Sequence, residues 1–134
     1  MLAREHNNPG DLSWPIHGYD GPGEAVTVRN DQGSHYASFP SIEDGVRALH
    51  CRIATYISRG YDTIHKMNRV YAADHHWSQN VSRWSHIPAD EILDAGNERQ
   101  IVALTFGIVQ AETGDAASFG LHPYPAPSFY PTGA

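Results

Sequence analysis

Helical periodicity dominates the chain. Val46, Leu49, Ile53, Tyr56 and Ile57 recur at the spacing of one helix face, in a run that opens after Ser41 and stops at Gly60. Ser41 with Asp44 three positions on has the form of a capping box, an acidic residue replacing the usual Glu or Gln. Asp62 or Thr63 then caps a short helix with Ile64, Met67, Val70 and Tyr71 on its face, and another helix is expected around Ser78 to Trp84. A turn of helix starts near Pro88, where proline suits the first helical position, and Gly96 stops it. The last helix runs from about Asn97 to Thr113, with Ile101, Leu104, Thr105 and Ile108 as its stripe.

Alternation marks one other region. Ala25 to Arg29 alternates around Val26 and Val28, Asn30-Asp31-Gln32-Gly33 supplies turn chemistry, and His35 to Phe39 alternates again, which predicts a β-hairpin. Asn7 to Gly23, rich in Asn, Pro, Gly and Asp with Trp14 and Tyr19 interleaved, reads as an ordered loop. From His122 to Ala134 the prolines 123, 125, 127 and 131 forbid helix and suggest an extended strap pinned by Tyr124, Phe129 and Tyr130. The expected fold is α+β, mainly helical with a small hairpin. One domain is expected over 1–134: loop and hairpin in 1–40, a helical part in 41–114 and a Pro-rich strap in 115–134.

A length of 134 residues suits one modest core. A net charge of -6 with histidines neutral argues against holding nucleic acid or an anionic membrane by bulk attraction. No apolar run approaches the roughly 18 residues of a membrane span, so no membrane partner is expected. Met1 to Gly10 carries Arg4, Glu5, His6 and two asparagines where a secretory signal would have an apolar stretch. The expectation is synthesis in the cytoplasm without a signal peptide, with action in a virion or after delivery to the periplasm or cell wall. The one cysteine, Cys51, cannot form an internal disulfide and reads as a small core residue rather than a nucleophile.

Glu112 stands where the stripe of the last helix calls for an apolar residue. Ile101, Ile108 and Glu112 fall within roughly 40° of one another around the helix, which turns the carboxylate toward the core or a cleft wall. Desolvation and the negative end of its own helix would both favour a retained proton, the state a general acid requires. Asn7 and Asn8 offer amides that match hydroxyl and N-acetyl groups, and Trp14 and Tyr19 offer ring faces that pack on a sugar. Trp77 and Trp84, a helical seven apart, read as core. Nine histidines raise a metal reading, most of all Asp74-His75-His76 with His86 further on. Adjacent helical histidines point about 100° apart, however, and no His-x-x-x-His or Cys-x-x-Cys spacing is present. No metal and no cofactor is therefore expected, and His75 and His76 are read as part of a turn between helices. Gly21-Pro22-Gly23 lacks the strand-to-helix context of a phosphate site.

Taken in order, four stretches resemble a lysozyme-like peptidoglycan-cleaving domain of phage virion structural proteins. They are Arg4 to Leu12 with Asn7-Asn8-Pro9-Gly10, Tyr36 to Phe39 through Gly45-Val46-Arg47-Ala48-Leu49, Tyr56 to Ile64, and Gln110-Ala111-Glu112-Thr113-Gly114. They span nearly the whole chain. The order of loop, hairpin and following helix is similar to the part of glucosaminidase-type hydrolases that follows their catalytic glutamate. No helix is read before Asn7, and the glutamate-bearing helix comes last, so the resemblance implies a circular permutation with the acid at the far end. It implies a lysozyme-like fold, peptidoglycan glycan strands as substrate, other virion proteins as further partners, and Glu112 as general acid. Asp11 stands where the pattern usually has Asn, Thr113-Gly114 where it has Asn-Gly, and Ala72 to Trp77 departs from a usual acidic stretch.

The function expected is cleavage of the glycan strand, as muramidase, glucosaminidase or lytic transglycosylase. The candidate catalytic set is Glu112 with Asp20 or Glu24 as second carboxylate, Asp31 lying nearby in sequence. Asn7, Asn8, Trp14, Tyr19 and Tyr36 are the candidate substrate contacts. The alternative is a catalytically silent virion structural or interaction protein on the same fold, which the acidic charge balance fits. A metal-binding regulatory domain built on the histidines is a third, weaker reading.

Overall fold

The computed structural model describes residues 2–28 and 35–123. The Asn30 to Gly33 turn, Asp31 and the strap from Tyr124 onward lie outside the described residues. The chain is α+β and mainly helical. A short α1 (Leu2–Glu5) is followed by β1 (Glu24–Val26), β2 (Tyr36–Ser38), α2 (Ile42–Ser58), α3 (Ile64–Tyr71), α4 (His76–Ser85), α5 (Glu98–Thr113) and a 3₁₀ turn at Ala116–Phe119. No described helix is long and apolar enough to cross a membrane. By contact the chain divides into two compact units, Met1–Thr55 and Tyr56–Ala134, with the division inside α2.

In the first unit the hairpin is antiparallel, with Glu24 opposite Ser38, Ala25 opposite Ala37 and Val26 opposite Tyr36. It is shorter than the alternation predicts, and its other edge is occupied by the loop. Ala37 N–H donates to Leu12 O at 3.0 Å and Trp14 N–H to His35 O at 2.6 Å. Leu12, Ile16, Tyr36, Ala37, Phe39, Ala48, Leu49 and Ile53 fill this unit's core. The single turn of α1 corrects the expectation of no helix before Asn7. It forms because His6 N–H and Asn8 N–H find acceptors in Leu2 O and Ala3 O, which begins the loop from a closed turn. Gly45 is required in α2, since any Cβ there would overlap the Asn7 carbonyl oxygen. Ser41 caps the helix as expected: Asp44 N–H donates to Ser41 Oγ at 3.1 Å.

In the second unit Thr63, one of the two caps the sequence offers for α3, is the one used, and the ends of α5 are capped as well. Thr63 Oγ1 accepts from Lys66 N–H at 3.0 Å, Asn97 Oδ1 accepts from Gln100 N–H at 3.1 Å, and Gly114 closes α5 at φ 73°. The seven consecutive residues Ala103 to Val109 of α5 are all buried, so its middle is enclosed on every side rather than along one stripe. Gly107 lets α4 approach: a Cβ there would stand 2.8 Å from Val81 O and 2.9 Å from Ser85 Cβ. Val81 and Ser85 face Gly107 while Trp77 meets Glu112, so α4 and α5 run antiparallel.

Two expectations fail in this unit. Residues 88–96 form turns rather than helix, because their backbone groups serve the start of α3: Ala89 O accepts from His65 N–H and Leu93 N–H donates to Asp62 O. Trp84 is 43% exposed, whereas Trp77 is buried. The buried face of α4 runs through Trp77, Ser78, Val81 and Ser85, and Trp84 falls about 20° beyond Trp77 on the side away from Ser78.

Candidate active site

Glu112 lies in the last turn of α5 and is half-buried. Its Oε2 accepts a hydrogen bond from the indole N–H of Trp77 at 2.8 Å. Trp77 stacks on Tyr71 with ring centroids 4.8 Å apart and planes 21° from parallel. Tyr56 meets Tyr71 edge to face at 6.2 Å and Tyr61 at the same distance. The carboxylate therefore ends a row of four aromatic rings, all supplied by the second unit. A buried indole needs an acceptor for its N–H. That requirement is the signal in the sequence that could have tied Trp77 to a carboxylate instead of to the core alone; Tyr56 and Tyr71 carried no comparable signal.

The N-terminal asparagines have structural work. Asn8 is fully buried, its Nδ2 donates to Leu12 O and Ala37 O at 2.9 Å each, and its Oδ1 accepts from Leu12 N–H at 2.9 Å. Asn7 Nδ2 donates to Phe39 O at 2.9 Å. Tyr36 is buried to 0% exposure with its ring edge to face with His6. Asn8 and Tyr36 thus present no surface to a sugar, which corrects their reading as substrate contacts; only Asn7, half-buried, keeps some exposure. Asn7 and Asp11 adopt φ of 51° and 55°, the left-handed region that Asn and Asp tolerate better than most residues.

Trp14 and Tyr19 remain half-exposed and form an edge-to-face cluster with Phe39, with centroids 5.7 to 6.4 Å apart. Tyr19 donates its hydroxyl to Pro22 O at 2.7 Å, and the Arg47 guanidinium lies 5.6 Å from the centre of its ring. Burial, and then the charge of Asp44, push the Tyr19 phenol above its ordinary range. Arg47 pairs with Asp44 at 2.7 Å, and hydrogen bonds from Arg47 and Ser41 hold that carboxyl below its usual range. Asp20 is exposed in the loop; Glu24, also exposed, opens β1 and borders a small pocket with Pro22, Gly23, Ser38, Phe39 and Pro40. Asp20 and Glu24 belong to the first unit and Glu112 to the second. Cys51 is half-buried rather than core, and burial pushes its thiol up, away from nucleophilic reactivity.

His75 and His76 stand at the junction of α3 and α4, both exposed, as read from the sequence. His76 N–H donates to Asp74 Oδ1 at 2.9 Å, and that bond, with one to the His76 ring, holds the Asp74 carboxyl below its usual range. No protein-family model matches the chain, and no curated protein matches its sequence.

Proposed function

We propose that this chain cleaves the glycan strands of peptidoglycan on a lysozyme-like fold, with Glu112 as the general acid that protonates the leaving oxygen. The observation that carries the reading is a half-buried carboxylate held at one oxygen by the Trp77 indole and bordered by aromatic rings. A fixed, partly desolvated carboxyl can be aimed at a leaving group, and beyond the buried Trp77 the half-buried rings of Tyr71, Tyr56 and Tyr61 offer aromatic surface to a pyranose. In the first unit Asp20 and Glu24 are the candidate carboxylates, and Trp14, Tyr19 and Asn7 the groups that suit contact with a glycan. Without a second carboxylate in reach, the substrate's own N-acetyl group assists and the reaction is that of a lytic transglycosylase.

Digestion of purified peptidoglycan by the wild type and by Glu112→Gln tests this. The expected result is soluble muropeptides from the wild type and a loss on the order of 100- to 10,000-fold in the variant. New reducing ends identify a hydrolase, and anhydro ends a transglycosylase. Equal release by both proteins removes Glu112 from the chemistry. No release by either favours the silent virion or interaction protein, the reading with which the net charge of -6 agrees better than with approach to an anionic wall polymer.

A further inference from the structure

We propose that Asp74, His75 and His76 bind a divalent ion of the zinc, nickel or copper class. Each of the three is exposed, and together they offer one carboxylate oxygen and two imidazole nitrogens that lie within 4.8 Å of one another. Adjacent helical side chains ordinarily diverge by about 100°. His75 is the N-cap and His76 the first residue of α4, and their rings lean together, with centroids 4.3 Å apart and planes 32° from parallel.

The spacing fits an ion with small movements. Ligand atoms around a tetrahedral ion with bonds near 2.1 Å stand roughly 3.4 Å apart. Asp74 Oδ1 and His76 Nδ1 already stand at 3.0 Å, and the others lie within 4.8 Å on side chains that are all exposed. The backbone beneath them is fixed. Asn68 Nδ2 donates to Ala72 O and Asp74 O, and Asn68 Oδ1 accepts from Ser78 N–H, so one amide staples the turn to both helices.

Donor chemistry selects the ion. Calcium and magnesium take oxygen shells, whereas two neutral imidazoles and a carboxylate suit borderline transition ions, with copper held more tightly than zinc. Three protein ligands leave further positions for water or a small anion. His75 also borders an open pocket of about 400 Å³ with His65, Asn68, Arg69 and Ser78, which gives such a ligand room beside two side chains that can carry positive charge. The site is independent of the Glu112 reading, and its failure would leave that reading untouched.

Calorimetric titration of the untagged protein with zinc chloride near neutral pH decides the matter. One saturable site is expected, weakened at least tenfold in His75→Gln and in His76→Gln and unchanged in His86→Gln, with copper binding more tightly than zinc. Circular dichroism of the exposed-site variants should superimpose on the wild type. Absence of saturable binding, or binding that survives in the His75→Gln/His76→Gln double variant, overturns the site.

Discussion

Trp77 and Glu112 meet across two antiparallel helices, the indole N–H of α4 donating to the carboxylate of α5 at 2.8 Å. Gly107 sets that meeting. By admitting Val81 and Ser85 against the α5 backbone, it fixes the separation of the helices about five residues before Glu112.

Trp77→Phe keeps an aromatic ring over Tyr71 but deletes both the donor to Glu112 and part of a buried indole. The lost bond, worth about 0.5–3 kcal/mol according to the charge on Glu112, and the cavity left by the smaller ring should together lower stability by about 2 kcal/mol or more in denaturant unfolding. If Trp77 aims the acid, kcat on peptidoglycan falls at least tenfold while KM changes little. An unchanged kcat in a destabilised variant would confine Trp77 to a structural role.

Gly107→Ala tests the helix crossing. The added methyl meets backbone as well as side chain, and overpacking costs about 1–3 kcal/mol, more than the gain in helix propensity of about 1 kcal/mol returns. A lower urea midpoint is expected, against little change for Gly96→Ala, where the nearest atom, Asp94 Oδ1, is 3.4 Å away.

Asn8→Ala removes three hydrogen bonds and leaves the Leu12 and Ala37 carbonyls and the Leu12 amide without this partner inside the first unit. Leu12 O keeps the Ala37 N–H as donor, so two buried groups are stranded at about 1–3 kcal/mol each, and a loss of about 2 kcal/mol or more is expected from thermal or urea unfolding. Asn7→Ala, which loses one half-buried bond, should cost about 1 kcal/mol.

His50 supplies a pH signature. Burial pushes its imidazole below the ordinary value of 6.5. Well above pH 6.5 the ring is neutral in both folded and unfolded chains and adds no slope. As pH falls below 6.5 the unfolded chain takes up a proton that the folded chain resists, so stability declines until the folded ring titrates as well. The difference in urea midpoint between wild type and His50→Leu should therefore be pH-independent above about 7 and shift in favour of the variant between pH 6.5 and 5.

Local signals were readable in the sequence, whereas relationships between segments were not. Ser41, Thr63, Asn97 and Gly114 mark helix ends through chemistry confined to a few residues, and each is used where the sequence placed it. The inward turn of Glu112 followed from helical period. Its partner did not, because the meeting with Trp77 depends on how closely two helices approach, a property set by Gly107 and invisible to periodicity. Pro88 misled for a similar reason: a good helix start was outweighed by backbone groups of α3 in need of partners. The asparagines misled in the opposite sense, since an amide suited to a sugar is equally suited to a carbonyl. The convergence of His75 and His76 rests on side-chain rotation, which spacing rules leave out.

The anchoring of Asn8 has a practical consequence for genetics. With Glu112 as the proposed acid, a screen that scores only lost activity would place substitutions at Asn8 in the same class as those at Glu112. Melting curves separate Asn8→Ala from Glu112→Gln, which keeps an acceptor for the Trp77 indole: the first melts early and the second does not.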